Sequence, residues 1–191
     1  MPECLNAVRQ ILSAARFASE RHAAQRRKGS TAEPYVNHLL EVAELLARTA
    51  DELDVNLIAA ALLHDTIEDA GVTREELAAR FGEDVAALVA EVSDDKSLPK
   101  QTRKELQIEN APKKSSRAQA LGTADKISNM RSIVSSPPAD WSFERRLEYV
   151  RWARQVVGRF ADLDGRLAAE FQQASAELQE WEKSGGTKVF F

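Results

Sequence analysis

A single cysteine, Cys4, leaves no partner for an intramolecular disulfide and suits a reducing compartment. Glycine is scarce at 8 of 191 residues, aromatic residues make up 6%, and period-two runs of β-branched residues are few. Alanine and leucine dominate instead, which predicts an all-α protein with one domain and enough length for a continuous core. No apolar run approaches the roughly 20 residues that a membrane helix needs. The N-terminus also lacks the basic-then-apolar order of a signal peptide, so the expectation is a cytoplasmic protein with no membrane partner. Nor is there an excess of positive charge. A net charge of −4 argues against a general nucleic-acid binder, although local basic clusters can still hold a small polyphosphate. Composition leaves the oligomeric state open.

What is present centres on Leu57 to Asp69, LIAAALLHDTIED. Its apolar first part has no polar face and reads as a helix buried on all sides. It ends abruptly in His64 and Asp65, with Glu68 and Asp69 one turn later; if the helix continues, Glu68 shares a face with His64. Imidazole and carboxylate beside a dry core cost several kcal/mol unless compensated, and a divalent cation is a common compensation. Taken alone, His-Asp is a short motif with a high false-positive rate.

Around this stretch the chain reads as successive helices. The first runs from Glu3 to about His22, with Leu5, Val8, Leu12 and Ala15 as its apolar stripe, Ile11 and Phe17 alongside. Gln25, Arg26, Arg27 and Lys28 follow, and Gly29 to Pro34 forms a loop. Asn37 is the expected N-cap of a second helix carrying His38 in its first turn and Leu39, Val42, Leu45 and Leu46 on one stripe. Asp54 starts the buried third helix. Thr73 to Glu76 forms a capping box for a short helix closed by Gly82, and another helix follows from about Glu83. Residues 93 to 116 are polar and lysine-rich, and read as a long solvated loop with at most one helical turn, or as a lid offering positive charge to phosphates. Ser115 or Ser116 caps a helix to about Ser135 that carries Asp125 near its apolar stripe, where an acid needs a partner. Pro137 and Pro138 stop it, Ser142 caps the next, and a last helix spans about Leu163 to Trp181.

Only three histidines exist, His22, His38 and His64, and each opens or closes a helix. With Asp65 and Asp125, two imidazoles and two carboxylates could meet at a bundle centre. A structural zinc site would favour cysteine; mixed nitrogen and oxygen donors suit Mn²⁺, Fe²⁺ or Zn²⁺, with the oxygens tilting toward manganese. Four blocks, HAAQRRK from His22, PYVNH ending at His38, HDTIED from His64 and ADKISNMR from Ala124, resemble in order and spacing the hydrolase domain of RelA/SpoT proteins. These are HD-domain phosphohydrolases, compact multi-helix bundles, and the likeness is strongest to the stand-alone small alarmone hydrolases, which include the metazoan SpoT homologue. It covers about residues 5 to 160.

The resemblance implies one Mn²⁺ held by His38, His64, Asp65 and Asp125. Such an ion lowers the pKa of bound water and polarises the phosphoryl group. Glu68 and Asp69 would flank the attacking water and share acid and base duty. Arg27 and Lys28 would lie beside the nucleotide, with His22 and Gln25 positioning their loop. Lys100 and Arg145 would meet phosphates, and Asn129 and Tyr149 the ribose. The implied substrate is guanosine tetraphosphate or pentaphosphate (ppGpp or pppGpp), cleaved to GDP or GTP and pyrophosphate, within a domain of residues 1–182 followed by a flexible tail, 183–191. Two departures from the family pattern stand out: Leu39 in place of a proline after His38, and Gly122-Thr123-Ala124 where the family carries lysine-leucine-alanine. A phosphatase for another ribose phosphate nucleotide such as NADPH, and a metal-free alarmone sensor, are the competing readings.

Overall fold

The computed structural model describes residues 2–161, 163 and 165–183. These form the helices α1 (Pro2–Arg21), α2 (Val36–Thr49), α3 (Val55–Leu63), α4 (Thr66–Ala70), α5 (Arg74–Phe81), α6 (Glu83–Val92), α7 (Lys100–Asn110), α8 (Ser116–Ser135), α9 (Phe143–Val157) and α10 (Gly165–Lys183). Among the described residues there is no β-strand, only isolated bridges pairing Arg26 with Pro34 and Gly29 with Pro138. Among the described residues, no helix is long and apolar enough to cross a membrane. Apart from Lys183, which ends α10, the expected tail lies outside the described residues.

The apolar helix α3 is the centre of the bundle. Every residue from Ile58 to Leu63 is buried, and α1, α2, α6 and α8 pack around it. Asp54 caps it by accepting the Leu57 N–H at 3.0 Å, which satisfies one orphan donor at the helix start. Three small side chains in a row, Ala59 to Ala61, are fully buried and let neighbouring helices approach closely. On the outer side α10 lies across α8 and α2 through Leu167, Phe171 and Leu178.

Three expectations need correction. The stripe Leu5, Val8 and Leu12 on α1 faces solvent, with Leu12 63% exposed; the buried face is Ala14, Phe17 and Ala18. The alanines allow contact with the equally narrow α3, so the small residues rather than the large ones set the helix phase. Asn37 is not an N-cap: α2 begins at Val36, and Tyr35 holds the cap position without a side-chain bond to the helix. Its hydroxyl is used elsewhere, as described below. Residues 93–116 are not mainly loop, because α7 spans Lys100–Asn110 and a 3₁₀ turn follows at Ala111–Lys113. No α7 residue is fully buried, so the core does little to hold it; Trp152 on α9 steadies it by donating its indole N–H to Lys104 O at 3.1 Å. Leu39, by contrast, is fully buried, so the departure from proline anchors α2 in the core. Ser115 and Ser142 cap α8 and α9 as expected, accepting from Ala118 N and Arg145 N. Thr73 caps α5 through Glu76 N, while the Glu76 carboxylate turns to Arg21 at 2.6 Å.

Candidate metal centre and nucleotide cleft

Three helices deliver the donor set. His38 lies in the first turn of α2, His64 and Asp65 fall at the break between α3 and α4, and Asp125 sits in the middle of α8. The break is made by Thr66, whose hydroxyl donates to Leu63 O at 2.6 Å before the chain re-enters helix. His38 Nε2 is 3.2 Å from Asp125 Oδ1 and 3.8 Å from Asp65 Oδ2; His64 Nε2 is 3.2 Å from Asp65 Oδ2 and 3.9 Å from Asp125 Oδ1. Both imidazoles are buried.

The outer hydrogen bonds decide which nitrogen of each ring faces inward. His64 Nδ1 is 2.8 Å from Ala61 O; a carbonyl only accepts, so Nδ1 carries the proton. Ser128 Oγ donates to Glu41 Oε2 at 2.6 Å, which leaves it to accept from His38 Nδ1 at 2.8 Å. In the neutral rings both Nε2 lone pairs therefore point at the two carboxylates. His64 Nε2 is buried and has no hydrogen-bond partner. An orphaned imidazole nitrogen among carboxylate oxygens fits a divalent cation, and His38, His64 and Asp65 offer donor atoms all within 4.8 Å of one another. Asp125 is not one of these three; it faces them from α8, with Oδ1 near both imidazoles.

The electrostatics agree. Against the penalty of burial, His64 holds Asp65 well below the usual carboxylate range, and His38 and His64 do the same for Asp125. Burial pulls His38 down, whereas Asp65 and Asp125 outweigh burial at His64 and raise it, the direction that two carboxylates give any positive charge at this point. Tyr35 donates to Asp65 Oδ2 at 2.6 Å, fixing that carboxylate from the α2 side.

Glu68 and Asp69, on α4, stand at the edge of this cluster. Glu68 Oε1 accepts Asp94 N–H at 2.6 Å, and burial raises its carboxyl above the ordinary value. Lys96 bridges the pair, 3.2 Å from Glu68 Oε2 and 2.8 Å from Asp69 Oδ1. Sequence reasoning passed over Lys96, and also Tyr35, Ser128 and Glu41. Position could have flagged only Ser128, which is three residues beyond Asp125 on the same helix face.

Two cavities open on either side. The first, about 230 Å³, is lined by Arg27, Lys28, Gly29, Asn129, Trp141 and Tyr149, among others. Arg27 donates to Asn129 Oδ1 at 3.0 Å, and Asn129 Nδ2 donates to Asp125 Oδ1 at 2.7 Å, so the loop is tied to the donor set through Asn129. His22 is buried and pairs through Nδ1 with Gln25 Oε1 at 2.5 Å, while Gln25 reaches Asp69; both hold the loop. Arg145 and Lys100 stand over the Trp141 ring, 4.6 and 5.7 Å from its centroid. Burial and the neighbouring Arg145 hold Lys100 below the ordinary lysine range, which is what a cation cluster awaiting an anion produces. Of the expected site residues, Lys28 lies on the exposed rim and Asn129 and Tyr149 in the wall, whereas Lys100 and Arg145 line neither cavity and reach the site only through the Trp141 ring they stand over.

A helical bundle that directs two imidazoles and two aspartates to one point defines a class of metal-binding phosphohydrolase folds, and a family model described as "HD domain" matches residues 14–167. The chain belongs to the HD-domain family. It is 46% identical over 161 residues to a Xenopus tropicalis protein named guanosine-3′,5′-bis(diphosphate) 3′-pyrophosphohydrolase, covering 82% of this chain and 90% of that one. A Homo sapiens protein of the same name is 47% identical over 148 residues, covering 78% and 83%. A solved structure described as a metazoan orthologue of SpoT that hydrolyses ppGpp superposes with a TM-score of 0.84 at 38% identity, covering 93% of this chain and 97% of that one.

Proposed function

We propose that this protein removes the 3′-pyrophosphate of guanosine tetraphosphate or pentaphosphate, using one divalent cation held by His38, His64, Asp65 and Asp125, with Mn²⁺ as the native ion. The observation that carries the reading is the pair of inward Nε2 atoms, one of them buried without a partner. Identity to named relatives across most of the chain supports the substrate. The bound cation supplies a more acidic water and a polarised phosphoryl oxygen. Residues 1–182 form the catalytic unit.

The side chains around the centre account for the remaining steps. The nucleoside lies in the first cavity against Trp141 and Tyr149, with Arg27 and Lys28 beside it and Lys100 and Arg145 meeting the phosphates. Water attacks the phosphorus bonded to the ribose 3′ oxygen, and that bond breaks. Glu68, fixed by the Asp94 N–H and raised by burial, takes the proton. Asp69 orients the water or returns a proton to the departing 3′ oxygen, and Lys96 keeps the two carboxylates in register.

Anion-exchange analysis of guanosine tetraphosphate incubated with Mn²⁺-loaded protein tests this. Wild type should yield GDP and pyrophosphate, and Asp65→Ala and Glu68→Gln should each lose about a hundredfold or more of the rate. Intact substrate under every divalent metal would refute it.

A further inference from the structure

The second cavity, about 250 Å³, is lined by His64, Asp65 and Asp125 of the donor set, none of which lines the first. Tyr35, Asp69, Asn129 and Tyr149 are common to both walls. If a nucleoside occupies the first cavity and its reacting phosphorus sits at the donors, whatever lies beyond that phosphorus enters the second.

That far wall carries two lysines, Lys126 and Lys114. Lys126, next to Asp125 on α8, is 5% exposed. Its ammonium lies 4.9 Å from the Trp152 ring centroid and pairs loosely with Asp125 Oδ2 at 3.6 Å, on the cavity side of the donor set. Lys114 ends the turn before α8, its carbonyl fixed by Gln119 Nε2 at 2.8 Å, and its side chain borders the same cavity. Burial and the facing Lys126 hold Lys114 below the ordinary lysine range. The nearby carboxylates are already engaged: Asp94 by Gln107 at 2.8 Å and by Arg103 at 3.6 Å, Glu91 by the Ser115 N–H and hydroxyl at 2.6 and 2.8 Å, Glu68 by the Asp94 N–H and Lys96. Two ammonium groups facing one cavity repel each other until an anion lies between them.

We propose that Lys114 and Lys126 form a subsite for the pyrophosphoryl group, gripping its distal phosphate during transfer to water and holding inorganic pyrophosphate afterwards. This deepens the hydrolase reading and rests on it. The arrangement divides recognition, with GDP bound in the first cavity and pyrophosphate in the second.

Inorganic pyrophosphate and GDP are tested separately as inhibitors of guanosine tetraphosphate hydrolysis, and pyrophosphate binding to metal-loaded protein is measured by calorimetry. The proteins compared are wild type, Lys114→Ala and Lys114→Arg. Lys114 is half-buried in a surface turn, so neither change disturbs the core. Losing one charge-assisted contact should weaken pyrophosphate about tenfold in both measurements, leave GDP inhibition unchanged, and be largely restored by arginine. Unchanged pyrophosphate affinity in Lys114→Ala, or equal weakening of pyrophosphate and GDP, would overturn the subsite. A wild-type protein that binds pyrophosphate through Lys114 yet cleaves no guanosine tetraphosphate would instead sink the hydrolase reading and leave the anion pocket standing.

Discussion

Gly29→Ala should impair the enzyme far more than a one-carbon change in a surface loop suggests. Gly29 pairs with Pro138 across an isolated bridge, and a Cβ built on it lies 2.9 Å from Ser136 Cβ and closer still to Ser136 Oγ and its carbonyl oxygen. Carbon atoms prefer roughly 3.5–4.0 Å, so loop and helix end must part by roughly 0.5–1 Å. The Ser136 backbone is tied to Ser132 O at 2.9 Å, which makes the loop the side that yields. That loop carries Arg27, whose 3.0 Å bond to Asn129 connects it to Asp125. A displacement near 1 Å at a positioning group costs up to about a hundredfold in rate, so kcat/KM for guanosine tetraphosphate should fall about 10- to 100-fold. Overpacking of this kind costs about 1–3 kcal/mol, and Mn²⁺ affinity should be unchanged because no donor moves directly. Steady-state kinetics beside thermal melting and metal titration make the comparison. Wild-type kcat/KM in this variant would refute the claim that Gly29 sets the distance between loop and donor set.

Ser128→Ala removes the acceptor that holds the His38 Nδ1 proton and should weaken divalent metal binding about 10- to 100-fold; unaltered affinity by metal titration would show that the tautomer is fixed some other way. Lys96→Ala removes the cation that bridges Glu68 and Asp69. The acid limb of the kcat–pH profile should move to higher pH, since burial already raises Glu68 and Lys96 is one of the groups holding it down; a stationary limb would remove Glu68 from proton transfer. Glu170, bonded by Arg48 and Arg131, has its carboxyl held at about 2 against an ordinary 4.5. It therefore contributes stability above about pH 4.5 that is lost as pH falls from there toward 2. After discounting for the part-exposed Arg48, 39% exposed, Glu170→Gln should cost about 1–2 kcal/mol at pH 7 and almost nothing near pH 2. Denaturant melts at the two pH values decide it.

The apolar run from Leu57 to Leu63 announced the central helix because a segment without a polar face must be surrounded. His64 and Asp65 were legible for the same reason: charge beside a dry core needs a partner, and the other histidines and Asp125 were few enough to supply one. The phase of α1 was not legible, since Ala14 and Ala18 win the core through close approach rather than hydrophobicity. Helix α7 was hidden because what steadies it, Trp152, lies on another helix. Tyr35, Ser128 and Glu41 act on the donors only through contacts across the bundle, 30, 90 and 87 residues apart in sequence for the bonds concerned. The second cavity likewise exists only once α7, α8 and α9 are assembled.

The central claim is that one divalent cation at His38, His64, Asp65 and Asp125 enables 3′-pyrophosphate removal. Metal-stripped wild-type protein titrated with Mn²⁺, while GDP release from guanosine tetraphosphate is followed, tests it directly. The expected result is no turnover before addition and a linear rise in rate that breaks at one equivalent of Mn²⁺ per chain. Full turnover by the stripped protein, or a break at two equivalents, would contradict it.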